Sequence, residues 1–340
     1  MIKFINHKHP DMGRVAQLLE LSAKENMWAN RGPLYKILAE NYAEHLNLKA
    51  NCSVTPCANA GIALEAMARV LACHHGRKLR WVGSAFSFQN LGRGYFSDMK
   101  LVDCNQQGLL DLGYVSALPP DSFDGIILVN PFGLFQDFEP YIKFARQTGK
   151  QLLIDNAAGI SQKMPNWPWQ ALSLHHTKPY GMGEGGLALT PTSIAEEVYS
   201  LLNYGAPPKN QENWLNNGKL SDIACAFLID RLEKIHEWGN MYLEQAERVH
   251  EIASGLGMSP IRPFGMTAPA MSWAYLAPNA VPVSRLLNSQ RLTFAKYYKP
   301  LISLPKADQL YEHLVNIPTH PDVAYLSDSE LKDEIAFFIN

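Results

Sequence analysis

Between Ser173 and Gly186 the chain reads SLHHTKPYGMGEGG, one lysine followed by four glycines within eight residues. Lys178 carries an amine long enough to reach over a ligand. Gly181, Gly183, Gly185 and Gly186 permit positive φ and close backbone approach to that ligand. Taken alone, the stretch favours a glycine-rich hairpin with a solvated lysine. A P-loop is excluded, because the order G-x-x-x-x-G-K-[ST] is absent here. His175 and His176 precede the lysine. A metal site needs further converging ligands, none is evident, and both histidines read equally as structural. Glu184 reads as a carboxylate that orients groups in a site or as a hydrogen-bonded turn residue. Two further positions carry chemistry. Asp155 closes the apolar run QLLID, either as a site carboxylate or as a helix N-cap or loop residue. Asn59, Ala60 and Gly61 open a helical segment, whose free N–H groups and positive dipole end suit an anion. An ordinary Asn N-cap accounts for the same residues.

Positioning these groups requires a sheet. Residues 169–174 lead into the glycine stretch as a short buried strand, and 187–190 leave it as another. Upstream strands are expected at 52–55 (ending at Pro56), 79–82, 100–102, 125–130 and 151–155, with a helix at 138–148. Strand–helix alternation of this kind predicts an α/β fold with a mostly parallel sheet covered on both faces. Such sheets bind ligands beyond the carboxyl ends of their strands, where Asp155 lies. Two helices precede the sheet, one grouping Val15, Leu18, Leu19 and Leu21, the next starting at Pro33. From Ser221 one helical pattern runs to about residue 254, long enough to join two domains. Beyond it a strand at 272–278, short helices at 284–288 and 306–314, and a strand and turn in VNIPTHP change the rhythm. Ser327 with Glu330 forms a capping box for a final helix. The expected division is a large domain over 1–235 and a smaller α/β domain over 236–340. Tyr297, Tyr298 and Trp214 read as a groove lining or as core.

The chain of 340 residues is 47% apolar with a formal charge of −2. That composition supports a sizeable core and argues against a nucleic-acid or anionic-membrane surface. Five scattered cysteines have no zinc spacing and suit a reducing compartment. No apolar run reaches the length of a membrane span, and the opening MIKFINHKHPDMGR lacks a signal-peptide core. The expectation is a cytoplasmic protein.

Together these residues resemble the DegT/DnrJ/StrS aminotransferases, pyridoxal-phosphate enzymes of fold type I that act mostly on nucleotide-linked keto sugars. The likeness runs nearly end to end. It includes the GP before the second helix, NAGIAL, the aromatic in AFSF, QLLID, S-x-x-x-x-K with GEGG after it, N-x-K-L-S-D, and the closing IPTHPDVAYLSDSELKDEI. The resemblance implies that Lys178 forms the Schiff base with pyridoxal 5'-phosphate (PLP). It implies that Asp155 holds the pyridine nitrogen protonated, that Phe88 stacks on the ring, and that Ser173 with the backbone of Ala60 and Gly61 binds the phosphate. Asn217, with Lys219 beside it, would reach the phosphate of a neighbouring subunit, making a homodimer with shared sites. The sequence departs from the family pattern at Ala158, where a glutamine, glutamate or histidine usually faces the cofactor's phenolic oxygen. That oxygen then needs another donor, Asn156 or water. The threonine of the usual phosphate turn is also missing, and the loop between Asp155 and Lys178, with Trp167 and Trp169, is short. The implied activity is amino transfer, from glutamate, to a nucleotide-linked keto sugar in surface-polysaccharide or secondary-metabolite biosynthesis. A cyclitol or other carbocyclic acceptor, or a non-catalytic regulator retaining the fold, are the alternatives. Dehydration by relatives that carry histidine in place of the lysine is disfavoured by Lys178.

Overall fold

Five of the strands are buried at nearly every position, the pattern of a sheet covered on both faces. In the computed structural model, which describes residues 1–134, 137–205, 216–265 and 268–339, they belong to a seven-stranded sheet. Its members are β1 (Cys52–Cys57), β2 (Trp81–Ser84), β3 (Lys100–Val102), β4 (Gly125–Val129), β5 (Gln151–Asp155), β6 (Gln170–Ser173) and β7 (Gly186–Pro191), in the order β1-β7-β6-β5-β4-β2-β3. The pairs from β6 to β3 are parallel. Only β7 is reversed, pairing antiparallel with both β6 and β1. Alternation along the strands splits the core in two. Ile127, Val129 and Leu153 face helix Ala60–His75, whereas Ile126, Leu128, Leu152 and Ile154 face helix Glu139–Thr148. Beside them Leu172, Leu187 and Leu189 pack on helices Met12–Glu25, Pro33–His45 and Asp222–Glu233.

A second, antiparallel sheet, β8 (Ser259–Pro260), β9 (Ser272–Leu276) and β10 (Leu314–Pro318), has the order β10-β9-β8. Helix Ile235–Gly255 and the final helix Asp328–Ala336 pack over it. The capping box at Ser327 and Glu330 is present. Residue 2 pairs with Leu292, so the first residues of the chain lie against this C-terminal layer.

Three details depart from the expected elements. The single helix over 221–254 is two helices, Asp222–Glu233 and Ile235–Gly255, separated at Lys234. The indole Nε1 of Trp238 donates to the Arg231 carbonyl at 2.7 Å, taking the acceptor that the continuing helix would use. Strand β1 continues through Pro56, which its position at the sheet edge permits. Strand β2 starts two residues later than expected, because Arg80 is drawn to the Asp124 carboxylate by its N–H and guanidinium. Trp214 lies outside the described residues.

The motif around Lys219 is built for packing. Ser221 caps helix Asp222–Glu233 by accepting from Ala224 N. Buried Asp222 accepts from Leu34 N at 2.9 Å and Ser22 Oγ at 3.0 Å. A Cβ on Gly32 would meet that carboxylate at 2.4 Å, which explains the glycine before Pro33.

Candidate active site

The carboxyl ends of β4, β5 and β6 deliver Asn130, Asp155 and Ser173 to one edge of the sheet. There a cavity of about 520 Å³ is lined by Asp155, Lys178, Phe88, Ala60, Gly61 and Ser173 among others. Six of the seven residues singled out for the site thus meet in one place. Asn217 does not: it is exposed outside this cavity, bridged to Asn203.

Asp155 is 5% exposed. Its carboxylate accepts from Asn90 Nδ2 at 3.4 Å and from Ala157 N at 3.2 Å. Burial raises its pKa, while those two donors and Lys178 oppose the rise. Burial lowers the pKa of the Lys178 amine, and the Asp155 charge opposes that shift. The two charges therefore sustain each other in a site that would neutralise either alone.

The Lys178 turn joins antiparallel strands, with Ser173 opposite Gly186. Two of its glycines serve the protein's own packing. A Cβ on Gly181 would lie 1.9 Å from the His175 carbonyl oxygen, and one on Gly186 2.4 Å from Asn59 C. Gly183 is the member with positive φ. His175 Nδ1 accepts from Thr177 N at 3.2 Å, so the ring proton belongs on Nε2, 3.4 Å from Glu184 Oε1. Glu184 is thereby a turn carboxylate that holds His175, while His175 itself lines the cavity. His176 does not line it; it is exposed.

Two cations hold the far side of the turn. Arg231 donates through Nε and Nη2 to the Pro179 carbonyl at 3.0 and 2.9 Å, with its guanidinium 3.8 Å from the Trp238 ring centroid. Lys8 Nζ donates to the carbonyls of His176 (2.7 Å), Gly181 (2.7 Å) and Lys178 itself. Burial and the nearby Arg231 charge pull the Lys8 pKa down to about 7.

At the opposite wall, Asn59 caps helix Ala60–His75 by accepting from Ile62 N at 2.9 Å. The cap and the anion site are compatible, because the first N–H groups of a helix have no intrahelical acceptor. Ala60 and Gly61 present theirs beside Ser173.

A profile of the DegT/DnrJ/EryC1/StrS aminotransferase family matches residues 12–330. The chain belongs to that family. Protein Rv3402c of Mycobacterium tuberculosis is 25% identical over 248 residues, which cover 68% of this chain and 60% of that protein. The matched stretch thus spans less than two thirds of that relative. Among solved structures, Helicobacter pylori PseC, an aminotransferase involved in the biosynthesis of pseudoaminic acid, matches with a TM-score of 0.79 at 15% identity, covering 98% of this chain and 97% of PseC. DesI, solved in the presence of its TDP-sugar product, matches with a TM-score of 0.78 at 16% identity, covering 97% and 90%. These likenesses show the fold, that of the fold type I PLP-dependent aminotransferases.

The residues present fit the cofactor of this family. Asp155 is a buried carboxylate that lacks a full set of donors and faces a cavity, as a protonated pyridine nitrogen requires. The Oδ1 of Asn90 and the Oγ of Ser87 are buried without a partner among the described residues. Asn156, one candidate for the phenolic oxygen, is engaged elsewhere: its Oδ1 accepts from Asn130 and its Nδ2 donates to Gln170. Asn90 and Asn130 line the cavity instead. Sequence reasoning missed both, along with Lys8. Asn90 lies two residues beyond Phe88, and Asn130 directly follows an apolar strand; that placement was their signal. Tyr298, one of three residues left open between groove and core, stacks on Phe132 at 5.5 Å and lines the cavity with Tyr297.

Proposed function

We propose that this protein is a PLP-dependent aminotransferase that moves an amino group from glutamate to a nucleotide-linked keto sugar. The observation that carries the reading is the convergence of Lys178 and Asp155 on one cavity, with the capped helix start at Ala60 and Gly61 on its wall. The bound cofactor supplies an electron sink for the carbanion left when a proton departs from the amino-bearing carbon. Asp155 would keep the pyridine nitrogen protonated, and its burial strengthens that charge pairing. Phe88 would fix the ring plane. Ala60 N, Gly61 N and Ser173 Oγ would hold the phosphate. Lys178 would hold the cofactor covalently between turnovers. Once displaced by the donor amine, it would move the proton, a role favoured by an amine whose pKa burial has lowered.

The acceptor class is supported by family membership and by the TDP-sugar in the DesI structure. Exposure of Asn217 outside its own cavity supports a homodimer in which Asn217 and Lys219 reach the phosphate of the partner's site. A cytoplasmic location is supported by the free thiols of Cys52, Cys57, Cys104 and Cys225; among the described residues no helix is long and apolar enough to cross a membrane. Among them, too, no group of histidine, cysteine and carboxylate side chains could hold a metal.

The test is the visible spectrum of the holoenzyme. A cofactor band that bleaches with glutamate and returns with a nucleotide keto sugar is the expected result. Lys178→Ala should abolish turnover, a loss of at least about 10³-fold by comparison with other covalent catalysts. Normal transamination by that variant would overturn the scheme. Recovery only with carbocyclic ketones would move the acceptor out of the sugar class.

A further inference from the structure

Residues 2–8 run as a strap from the C-terminal layer to the Lys178 turn, bending at Phe4 and Ile5 and anchored at nearly every position. Ile2 N donates to Arg291 O at 2.7 Å and Thr293 N to Ile2 O at 2.9 Å. The Lys3 carbonyl contacts His320 Nε2 at 3.0 Å. Phe4 and Ile5 line the cavity, with Phe4 edge-on to Tyr297 at 5.6 Å. Asn6 Oδ1 accepts from Tyr242 at 2.8 Å, and His7 N donates to Asp322 at 2.8 Å. The strap ends by placing the Lys8 ammonium under the carbonyls of His176, Lys178 and Gly181.

Three carbonyl oxygens pointing at one spot repel one another unless a cation stands between them. An ammonium has three N–H donors and no acceptor, so it can satisfy all three at once. Among the described residues no carboxylate forms an ion pair with Lys8. Its charge is therefore directed wholly at this backbone. Arg231 takes the Pro179 carbonyl between them. Four carbonyls within six residues are thus fixed by two cations from distant parts of the chain.

We propose that Lys8 is a positioning residue for Lys178, and that the strap couples the position of the Lys178 amine to whatever fills the cavity against Phe4 and Ile5. The proposal rests on the reading of Lys178 as the residue that holds the cofactor. Lys8 touches the backbone of the turn and not the reacting atoms, so its loss should change how fast and how firmly Lys178 is presented without emptying the site.

The test compares the full-length Lys8→Met variant, which keeps the apolar stem and removes the three donors, with the unaltered protein. Hydrogen exchange of the cofactor-free proteins is read by mass spectrometry over residues 174–186. The expected result is exchange at least about tenfold faster in this turn, with helix Asp222–Glu233 unchanged. Cofactor capture by the apoprotein should slow by about tenfold, while the phosphate wall keeps equilibrium binding of pyridoxamine phosphate, which forms no covalent link, within about threefold. Unchanged exchange in the turn would overturn the proposal, as would exchange raised equally throughout the molecule. Should Lys8→Met fail to fold, Lys8→Gln, which retains two N–H donors, carries the same comparison. It should show a smaller acceleration confined to the turn, and exchange equal to the unaltered protein would count against the proposal. Borohydride reduction of the unaltered holoenzyme followed by peptide mapping identifies the lysine that holds the cofactor. If that lysine is not Lys178 the cofactor reading fails, whereas the exchange result still decides whether Lys8 holds the turn.

Discussion

At the scale of single residues the site depends on two opposed charges, Asp155 and Lys178, in surroundings that favour neither. Asp155→Asn removes the charge that holds the Lys178 pKa up against burial. The Lys178 amine should then lose its proton at lower pH. The pH profile of cofactor capture by the apoprotein is expected to shift to lower pH in the variant. If Asp155 holds the pyridine nitrogen as proposed, turnover should fall by at least about 10²-fold, because an amide could not keep that nitrogen protonated. An unshifted capture profile would show that the two groups do not sense each other. Lys178 and Asp155 were legible in the sequence because each sits beside a local signal, a glycine turn and the end of an apolar strand, whereas Phe88 was reached only through the family resemblance. Lys8 was not legible, because its partners lie about 170 residues away and no periodicity marks a lysine directed at carbonyl oxygens. The compatibility of cap and anion site at Asn59 was also invisible, since the residue type announces only the cap.

The element that matters most is the hairpin from Ser173 to Gly186. The glycine content of the turn was plain, but its reason was not. Side-chain volume is excluded here by backbone that folds back within a few residues, a fact that exists only once the turn has closed. Gly181→Ala would place a Cβ on the His175 carbonyl. The variant should lose about 2 kcal/mol or more in urea unfolding and should release its cofactor faster. An unchanged midpoint would show that the turn relaxes freely. Helix boundaries upstream fell close to expectation because caps and apolar spacing mark them. The break at Lys234 did not, because no glycine or proline announces it; Trp238, four residues on, makes it by taking a carbonyl.

For the molecule as a whole, the two sheets are tied by polar contacts as well as by apolar packing. Asp103, which had no expected role, accepts from Lys306 N and Ala307 N at 2.9 Å each and so caps helix Pro305–His313 from the end of β3. Asp103→Ala should cost about 1–2 kcal/mol, the range for a lost N-cap, measured by urea unfolding. It should raise hydrogen exchange in that helix first. Equal stability would mean that water replaces the carboxylate. The reversed strand β7 carries a different consequence. Its pairing with β6 is a hairpin closed over a short turn, whereas its pairing with β1 joins Cys52 to Pro191 across much of the sequence. Local closure precedes distant closure on entropic grounds. The lysine turn therefore takes shape early in folding, while the docking of β1 and of the helix start at Ala60 beside it comes late. A chain that has closed only this hairpin holds Lys178 in its turn before Ala60 and Gly61 stand opposite it. The complete cavity is thus a mark of a finished molecule, in which Lys178, Asp155 and the helix start at Ala60 have all met.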